Sequence, residues 1–393
     1  MSGFIYPNEA EINWSVLIVL YPYITGLVAG AFIVSALYHV FNRKQLAPVS
    51  RLALITALSF LMVAPMPLLL HLGQPLRAFS IMWTPNPTSA MAGFGYIYSF
   101  YMMVVLLEVW FAYRKDIVYN ALHSTGISKL GYSILSLGAY DVSPATVEAD
   151  ERYTRTLAAI GIPSAAFLHG YVGFIFGAIK ANPWWSTPLQ PVIFLMSAIV
   201  SGTALLMLIY GVTNRLRKEK LDFNCLMSLN RYLWYFLIVD ASLEVLEVIS
   251  KLYEAREEWG AVATLLTQYI PGSFFGLQLG MGALLPLIML TLGRSKKLSP
   301  SLRTGLTFVS GLMVVVGVFA MRWNVVIGGQ LVSKSLRGFT SYTPSFFSME
   351  GILPAVVVLA LPFAILAIVS RILPPWQQAA KAEEEHQPVQ AAV

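Results

Sequence analysis

ANPWWSTPLQPVIFLMSAIVSGTALLMLIYGVTN, residues 181–214, contains no Asp, Glu, Lys or Arg. A helix needs about 20 apolar residues to cross a hydrocarbon core of about 30 Å, and this run is long enough. Working outward, the same gap in charge recurs at 12–42, 52–76, 78–107, 156–179, 259–293, 304–321 and 351–370. Inside lipid every backbone N–H and C=O must find its partner within the chain, so such stretches fold as helices. Strands of a membrane barrel would be shorter and would alternate in polarity. Of 393 residues, 57% are hydrophobic and 12% charged. An average soluble domain carries roughly 25% charged residues. The composition therefore excludes a soluble globular enzyme, a disordered chain and a fibrous one. It predicts an all-α integral membrane protein, with residues 1–375 forming a single polytopic domain.

Nine spans are expected, at 14–41, 49–72, 90–113, 156–180, 188–214, 231–252, 273–293, 302–322 and 351–371. The sixth alone is interrupted by acids. Residues 323–349 hold Gly328, Gly329, Lys334, Arg337, Gly338 and Pro344 and read as a loop. Lys and Arg total 19 on the side of the C-terminal tail and 7 on the side of the N-terminus. The positive-inside rule then puts the N-terminus outside and the tail in the cytoplasm. The tail, 376–393, with KAEEEHQPVQ, reads as disordered. Within 114–155 a mildly amphipathic piece, 127–138, suits the inner membrane surface. The N-terminus lacks a basic n-region, and its first apolar run is too long for a signal peptide. The net charge of +6 is explained by topology and calls for no nucleic-acid partner.

The two sets of loops differ in character. Those on the basic side are plain, such as RLRKEK at 215–220. The outer ones are compact and rich in Pro, Gly, Trp and Asn: HLGQPLRAF at 71–79, WTPNPTS at 83–89, KANPWWSTP at 180–188 and RWNVVIGGQ at 322–330. Aromatic belts at the interface account for part of this. A docking face for another protein, with Arg77, Trp184, Trp185 and Arg322 as contacts, accounts for the rest. For the two arginines, snorkelling at the boundary is the ordinary alternative. The protein has one cysteine, Cys225. That excludes an internal disulfide, a thiolate zinc cluster and a cysteine-ligated iron–sulfur cluster. Electrons handled here must reach metal centres carried by another polypeptide.

Ionisable groups at membrane depth cost about 2.5–3.5 kcal/mol each even on insertion scales, so each needs a reason. Asp240, Glu244 and Glu247 are spaced i, i+4, i+7 and share one helical face, with Lys251 one turn further. A solvated crevice would explain them. So would a proton-exchanging file, because carboxyls in low dielectric can hold and pass protons near neutral pH. His71 ends the second span, and His169 lies in the fourth. Packing with satisfied ring nitrogens is the plain account, and haem ligation, which wants paired histidines on facing helices, the sharper one. Tyr21 and Tyr23 in the first span are candidates to hydrogen-bond a quinone head group, against a packing role with a satisfied hydroxyl. Glu108 and Gln278 are further polar residues at depth. Walker A, GxGxxG, HExxH and GxSxG motifs are all absent from the sequence.

Several segments together resemble the NrfD-like family of polysulfide reductase membrane subunits. They are GLVAGAF (26–32), LGQPLRAF with NPTS (72–79, 86–89), HGYVGFIFGAIKANPWW (169–185), VIFLMSAIVSG (192–202), RWNVVIGGQ (322–330) and LPFAIL…RILPPW (361–376). The resemblance implies an NrfD-like helical bundle in a bacterial or archaeal cytoplasmic membrane, without haem, iron–sulfur cluster or other metal of its own. It implies binding of menaquinone or ubiquinone; in this sequence Tyr21, Tyr23, His71 and His169 are the candidate contacts, and Asp240, Glu244 and Glu247 the candidates for proton transfer. It also implies a ferredoxin-like iron–sulfur partner and a catalytic subunit of molybdopterin, hydrogenase or multihaem type. In the polysulfide reductase branch a His and an Asn of the first helix contact the quinone; the matching positions here are Tyr21 and Ile18, a departure. A proton-coupled transporter and a di-haem cytochrome b-like anchor are the competing readings.

Overall fold

The computed structural model describes residues 2–7, 11–254 and 258–376. Among these residues nine long helices carry the fold. They are α1 (Val16–His39), α2 (Lys44–His71), α3 (Ala90–His123), α4 (Pro144–Gly177), α5 (Gln190–Leu216), α6 (Phe223–Glu254), α7 (Gly272–Arg294), α8 (Pro300–Leu331) and α9 (Ile352–Ile372). Eight are long and apolar enough to cross a membrane; α6, which carries the acids, is not apolar enough. Each corresponds to an expected span. The only strands among the described residues are Ser2–Gly3 (β1) and Gly338–Phe339 (β2), a short antiparallel pair with Ser2 opposite Phe339.

Helix α1 is the centre of the packing. The Ser15 hydroxyl caps its start by accepting from Leu17 N, and 94% of its most apolar stretch is buried. It packs on α2, α4 and α5. In turn α5 meets α6 and α8, α7 pairs with α8, and α9 returns against α2. Such contacts need small residues, since lipid supplies little hydrophobic drive between helices. A Cβ on Gly30 of α1 would lie 2.6 Å from Gly202 Cα on α5, and one on Gly173 would lie 2.6 Å from Gln190 O. The Gly26/Gly30 and Gly173/Gly177 spacings thus mark real helix crossings. Gly276 faces open space; the α7–α8 crossing instead uses Gly282 and Gly317.

The helix ends fall into two groups. One face gathers the N-terminal segment and the loops around 72–89, 178–189 and 332–351, tied by the β1–β2 pair and by Trp14 stacked on Trp185 at 5.2 Å. The opposite, basic face holds the loops at 40–43, 124–143, 217–222 and 295–299, with Arg217 over the Trp376 ring at 4.1 Å.

Two expectations are corrected. The third and fourth spans are longer than the expected 90–113 and 156–180: α3 runs on to His123 and α4 starts at Pro144, leaving only 124–143 between them. Within that interval Gly126–Leu135 is the expected amphipathic helix, with Ile127, Leu130 and Ile134 exposed. Nor is RWNVVIGGQ a loop. The α8 helix continues through a π-wound segment, Asn324–Gly328, to Leu331. The expected disordered tail lies outside the described residues, apart from Trp376.

Replacing Gly30 with leucine forces the α1–α5 crossing apart. Overpacking of this kind costs about 1–3 kcal/mol or more, so G30L should lower the melting temperature of the detergent-solubilised protein by several degrees. An unchanged melting curve would show that the crossing is looser than described.

Candidate functional site

Asp240, Glu244 and Glu247 share one face of α6, as their spacing predicts. Asp240 is 3% exposed, and its Oδ1 has no hydrogen-bond partner. Glu244 accepts from Gln278 Nε2 at 3.1 Å. Gln278 Oε1 accepts from Asn324 Nδ2 at 2.8 Å, and Asn324 Oδ1 accepts from Ser273 Oγ at 2.6 Å. Glu247 is paired with Lys251 at 3.2 Å. Lys251 Nζ also donates to the carbonyls of Pro183 and Trp184, at 3.1 and 2.5 Å. It lines a surface cavity of about 180 Å³ together with Lys180, Pro183, Glu254, Glu258 and Trp259. The acids therefore form a file that starts in the bundle interior and ends at a cavity on the N-terminal face.

A buried cation balances this file. Arg322 is 1% exposed, donates through Nη2 to Phe194 O (3.1 Å) and Ser197 Oγ (2.8 Å), and lies over the Phe194 ring at 4.0 Å. Asp240, Glu244 and Tyr23 lie within its electrostatic reach. An isolated charge this deep would cost several kcal/mol, and opposite charges with hydrogen bonds offset that cost. The expectation of a snorkelling or docking arginine at the outer boundary is thus overturned: because α8 runs on past Trp323, Arg322 lies inside the bundle.

The ANPWW turn completes the arrangement. π-Winding shifts backbone bonds from i+4 to i+5 and re-aims carbonyls and side chains. Trp184 Nε1 donates to Asn324 O (2.9 Å), Trp185 Nε1 to Val325 O (2.6 Å), and Asn182 Nδ2 to Gly329 O (2.7 Å). Gln330 closes the rim through the Trp14 backbone, accepting from its N–H at 2.9 Å and donating to its carbonyl at 3.1 Å. Trp184 and Trp185 are 7% and 6% exposed. Their indoles cannot form the docking surface expected of them, because they bind the protein's own π segment. Arg77, in the turn Pro75–Phe79, is exposed.

The four expected quinone contacts separate into two pairs. Tyr23 donates to Val315 O at 3.0 Å, and His169 contacts Ala165 O (2.7 Å) and Thr25 O through its two ring nitrogens. Both are engaged in helix packing. Tyr21 is buried with its hydroxyl unpartnered and its ring edge-on to Phe94 at 5.2 Å. His71 is partly exposed and binds Glu350 Oε2 through Nδ1 at 2.9 Å. The segment Met66–His71 packs on α1 and α9. His71 and His169 thus engage different partners, not each other. Glu350, Asn324, Ser273 and Ser197 escaped the sequence reading. Each is a single polar residue whose partner is more than 30 positions away, and no local pattern marks it.

Residues 7–334 match the family model described as "Polysulphide reductase, NrfD". The chain belongs to this family. It is a multi-pass integral membrane protein. Among its relatives is a selenate reductase subunit of Mesobacillus selenatarsenatis, 30% identical across 90% of this sequence and 84% of the relative. "Hdr-like menaquinol oxidoreductase integral membrane subunit" of Archaeoglobus fulgidus is 24% identical, again over 90% and 84%. A polysulfide reductase polypeptide of Wolinella succinogenes is 23% identical over 81% of this sequence and 95% of its own. The family match ends just past the π segment of α8, so both the ANPWW turn and the segment it caps lie within it.

Trp185→Phe keeps an aromatic ring and removes the indole N–H, leaving the Val325 carbonyl without its donor. Unsatisfied buried groups cost about 1–3 kcal/mol. W185F should therefore melt several degrees below the wild type, whereas a substitution at exposed Arg77 should leave the melting temperature unchanged.

Proposed function

We propose that this protein is the quinone-exchanging membrane subunit of a respiratory oxidoreductase complex. Its role is to move electrons between the quinol pool and an iron–sulfur subunit on the N-terminal face. The observation that carries this reading is the buried file Asp240–Glu244–Glu247–Lys251, which ends at a cavity on that face. Quinol oxidation releases two protons with its two electrons. A membrane subunit performing it needs a proton route, and three acids in line on one largely buried face, set against the two cations Arg322 and Lys251, offer one. The names of its relatives point the same way, one of them being a menaquinol oxidoreductase membrane subunit.

A quinol supplies its hydroxyl protons and electrons when bound. Tyr21 and His71 fit its head group: one offers an orphaned buried hydroxyl, the other an imidazole steadied by Glu350. With Nδ1 donating to the Glu350 carboxylate, Nε2 of His71 is an acceptor for a hydroxyl proton. Leu72, Leu76, Phe79 and Trp83, exposed on the turn after His71, offer an apolar approach from lipid. Tyr23 and His169 hold helices in place around this corner.

One cysteine means that cluster chemistry belongs to partners: a ferredoxin-like iron–sulfur subunit and a catalytic subunit of molybdopterin, hydrogenase or multihaem type. The distribution of Lys and Arg favours the N-terminal face outside and the C-terminus in the cytoplasm, and the family resemblance favours a bacterial or archaeal cytoplasmic membrane. Arg77 and the exposed rim of the 180–188 turn are the proposed docking contacts.

In the complete complex, Asp240→Asn should slow quinol oxidation about 10-fold or more while a quinol analogue still binds, since one proton carrier is lost with its shape kept. Turnover at the wild-type rate would remove the file from the mechanism. His71→Gln should raise the KM for quinol more than it lowers kcat. Ion flux through the purified subunit, without quinol or partner, would favour a transporter instead.

A further inference from the structure

The α6 file leaves a second buried acid unused. Glu108 on α3 has no exposed surface, and neither carboxylate oxygen has a hydrogen-bond partner. It is not alone. Ser35 Oγ and His39 Nε2 on α1, Thr56 Oγ1 on α2 and Tyr101 OH on α3 are also buried and unpartnered. Native interiors hold such atoms to a few per hundred residues, and each calls for an explanation.

Register places Ser35 and His39 on one face of α1 and Tyr101 and Glu108 on one face of α3, with Thr56 of α2 at a similar depth. Phe32 of α1 and Tyr101 of α3 meet edge to face at 5.5 Å. From that contact toward the basic face, Ser35 and His39 follow Phe32 at i+3 and i+7, and Glu108 follows Tyr101 at i+7, each on the same helical face. Side chains on a helix lean toward its N-terminus, which turns Glu108 toward Tyr101, and the two lie within electrostatic reach of each other. At the basic end, Arg51 of α2 pairs with Asp116 of α3 and lies 3.9 Å over the Tyr113 ring. At about 1.5 Å per residue, Glu108 is about 12 Å inside this pair along α3, and Thr56 about 8 Å along α2. Arg51 and Arg155 flank His39. These groups therefore run from a charged rim on the basic face to Tyr101 in the middle of the bundle, on the opposite side of α1 from the acids of α6.

We propose that Glu108 is the relay of a second proton route, entering at the Arg51–Asp116 rim and passing His39, Thr56 and Ser35 to Tyr101. The relay requires water threaded between these side chains, to partner their free polar atoms and carry the proton. In each transfer an O–H bond of Glu108 breaks as one forms on the next oxygen toward Tyr101. The carboxylate then regains a proton from the basic side, with no change in electron count. The inner terminus, Tyr101, lies about 10 Å along α3 from Phe94, the ring packed on Tyr21; that it serves a quinone head group rests on the quinone reading above, and the relay itself does not. With both routes present, protons are exchanged with both sides of the membrane.

Two measurements separate these dependencies. Infrared spectroscopy of the purified subunit should show a carboxylic acid C=O band that shifts on transfer to D2O and is missing from Glu108→Gln. In the complete complex reconstituted in vesicles, E108Q should slow quinol turnover and proton exchange on the basic side by about 10-fold, with the KM for quinol unchanged. E108D should recover most of the rate. Tyr101→Phe, which keeps the ring, should also slow exchange should E108Q fail to fold. A band that does not exchange in D2O, or wild-type turnover and proton exchange in E108Q, overturns the relay. If the wild-type complex does not oxidise quinol at all, the quinone reading fails and the infrared result alone decides the relay.

Discussion

A guanidinium buried in the middle of a lipid-embedded bundle constrains everything around it. Arg322 must be offset by charge and hydrogen bonds from within the protein, because neither bulk water nor lipid can offset it there. Phe194 O and Ser197 Oγ on α5 bind its fork, and Asp240 and Glu244 on α6 supply opposite charge. Three helices are thereby held in one register. The acids in turn are tolerated at this depth because the arginine is there. Each sign of charge lowers the cost of burying the other.

The same logic explains why the ANPWW turn and the π segment of α8 belong together. Changing from α to π winding next to a buried charge re-aims Asn324 toward Gln278 and Ser273. It also turns backbone carbonyls toward the N-terminal face, where two indoles and an amide from the ANPWW turn donate to them. Residues that read as surface decoration are caps for an irregular piece of helix. The acids lie on α6, but their surroundings are set by α7, α8 and this turn.

Much of this was legible in the residues. Gaps in charge located the membrane helices, and the spacing of Asp240, Glu244 and Glu247 put them on one face. Lysine and arginine counts separated the loops into two sets that the structure does bring to opposite ends. The errors came where local composition misleads. Two glycines at 328–329 look like a loop, yet a π-wound helix passes through them because distant side chains satisfy its carbonyls. Glu350 had no visible role until His71 was found against it.

The sequence alone determined that this protein lives in lipid as helices, because hydrophobic length and backbone hydrogen bonding are local properties of each segment. It also determined that an iron–sulfur cluster held by several cysteines lies elsewhere, since the protein has one cysteine. Only the tertiary structure decided which polar residues serve as packing and which remain free to act. His169 and Tyr23 bond to other helices, while Tyr21, Glu108 and the head of the α6 file keep unpartnered atoms. That distinction depends on what each side chain meets across the bundle. A pairing between residues tens or hundreds of positions apart leaves no trace in local spacing.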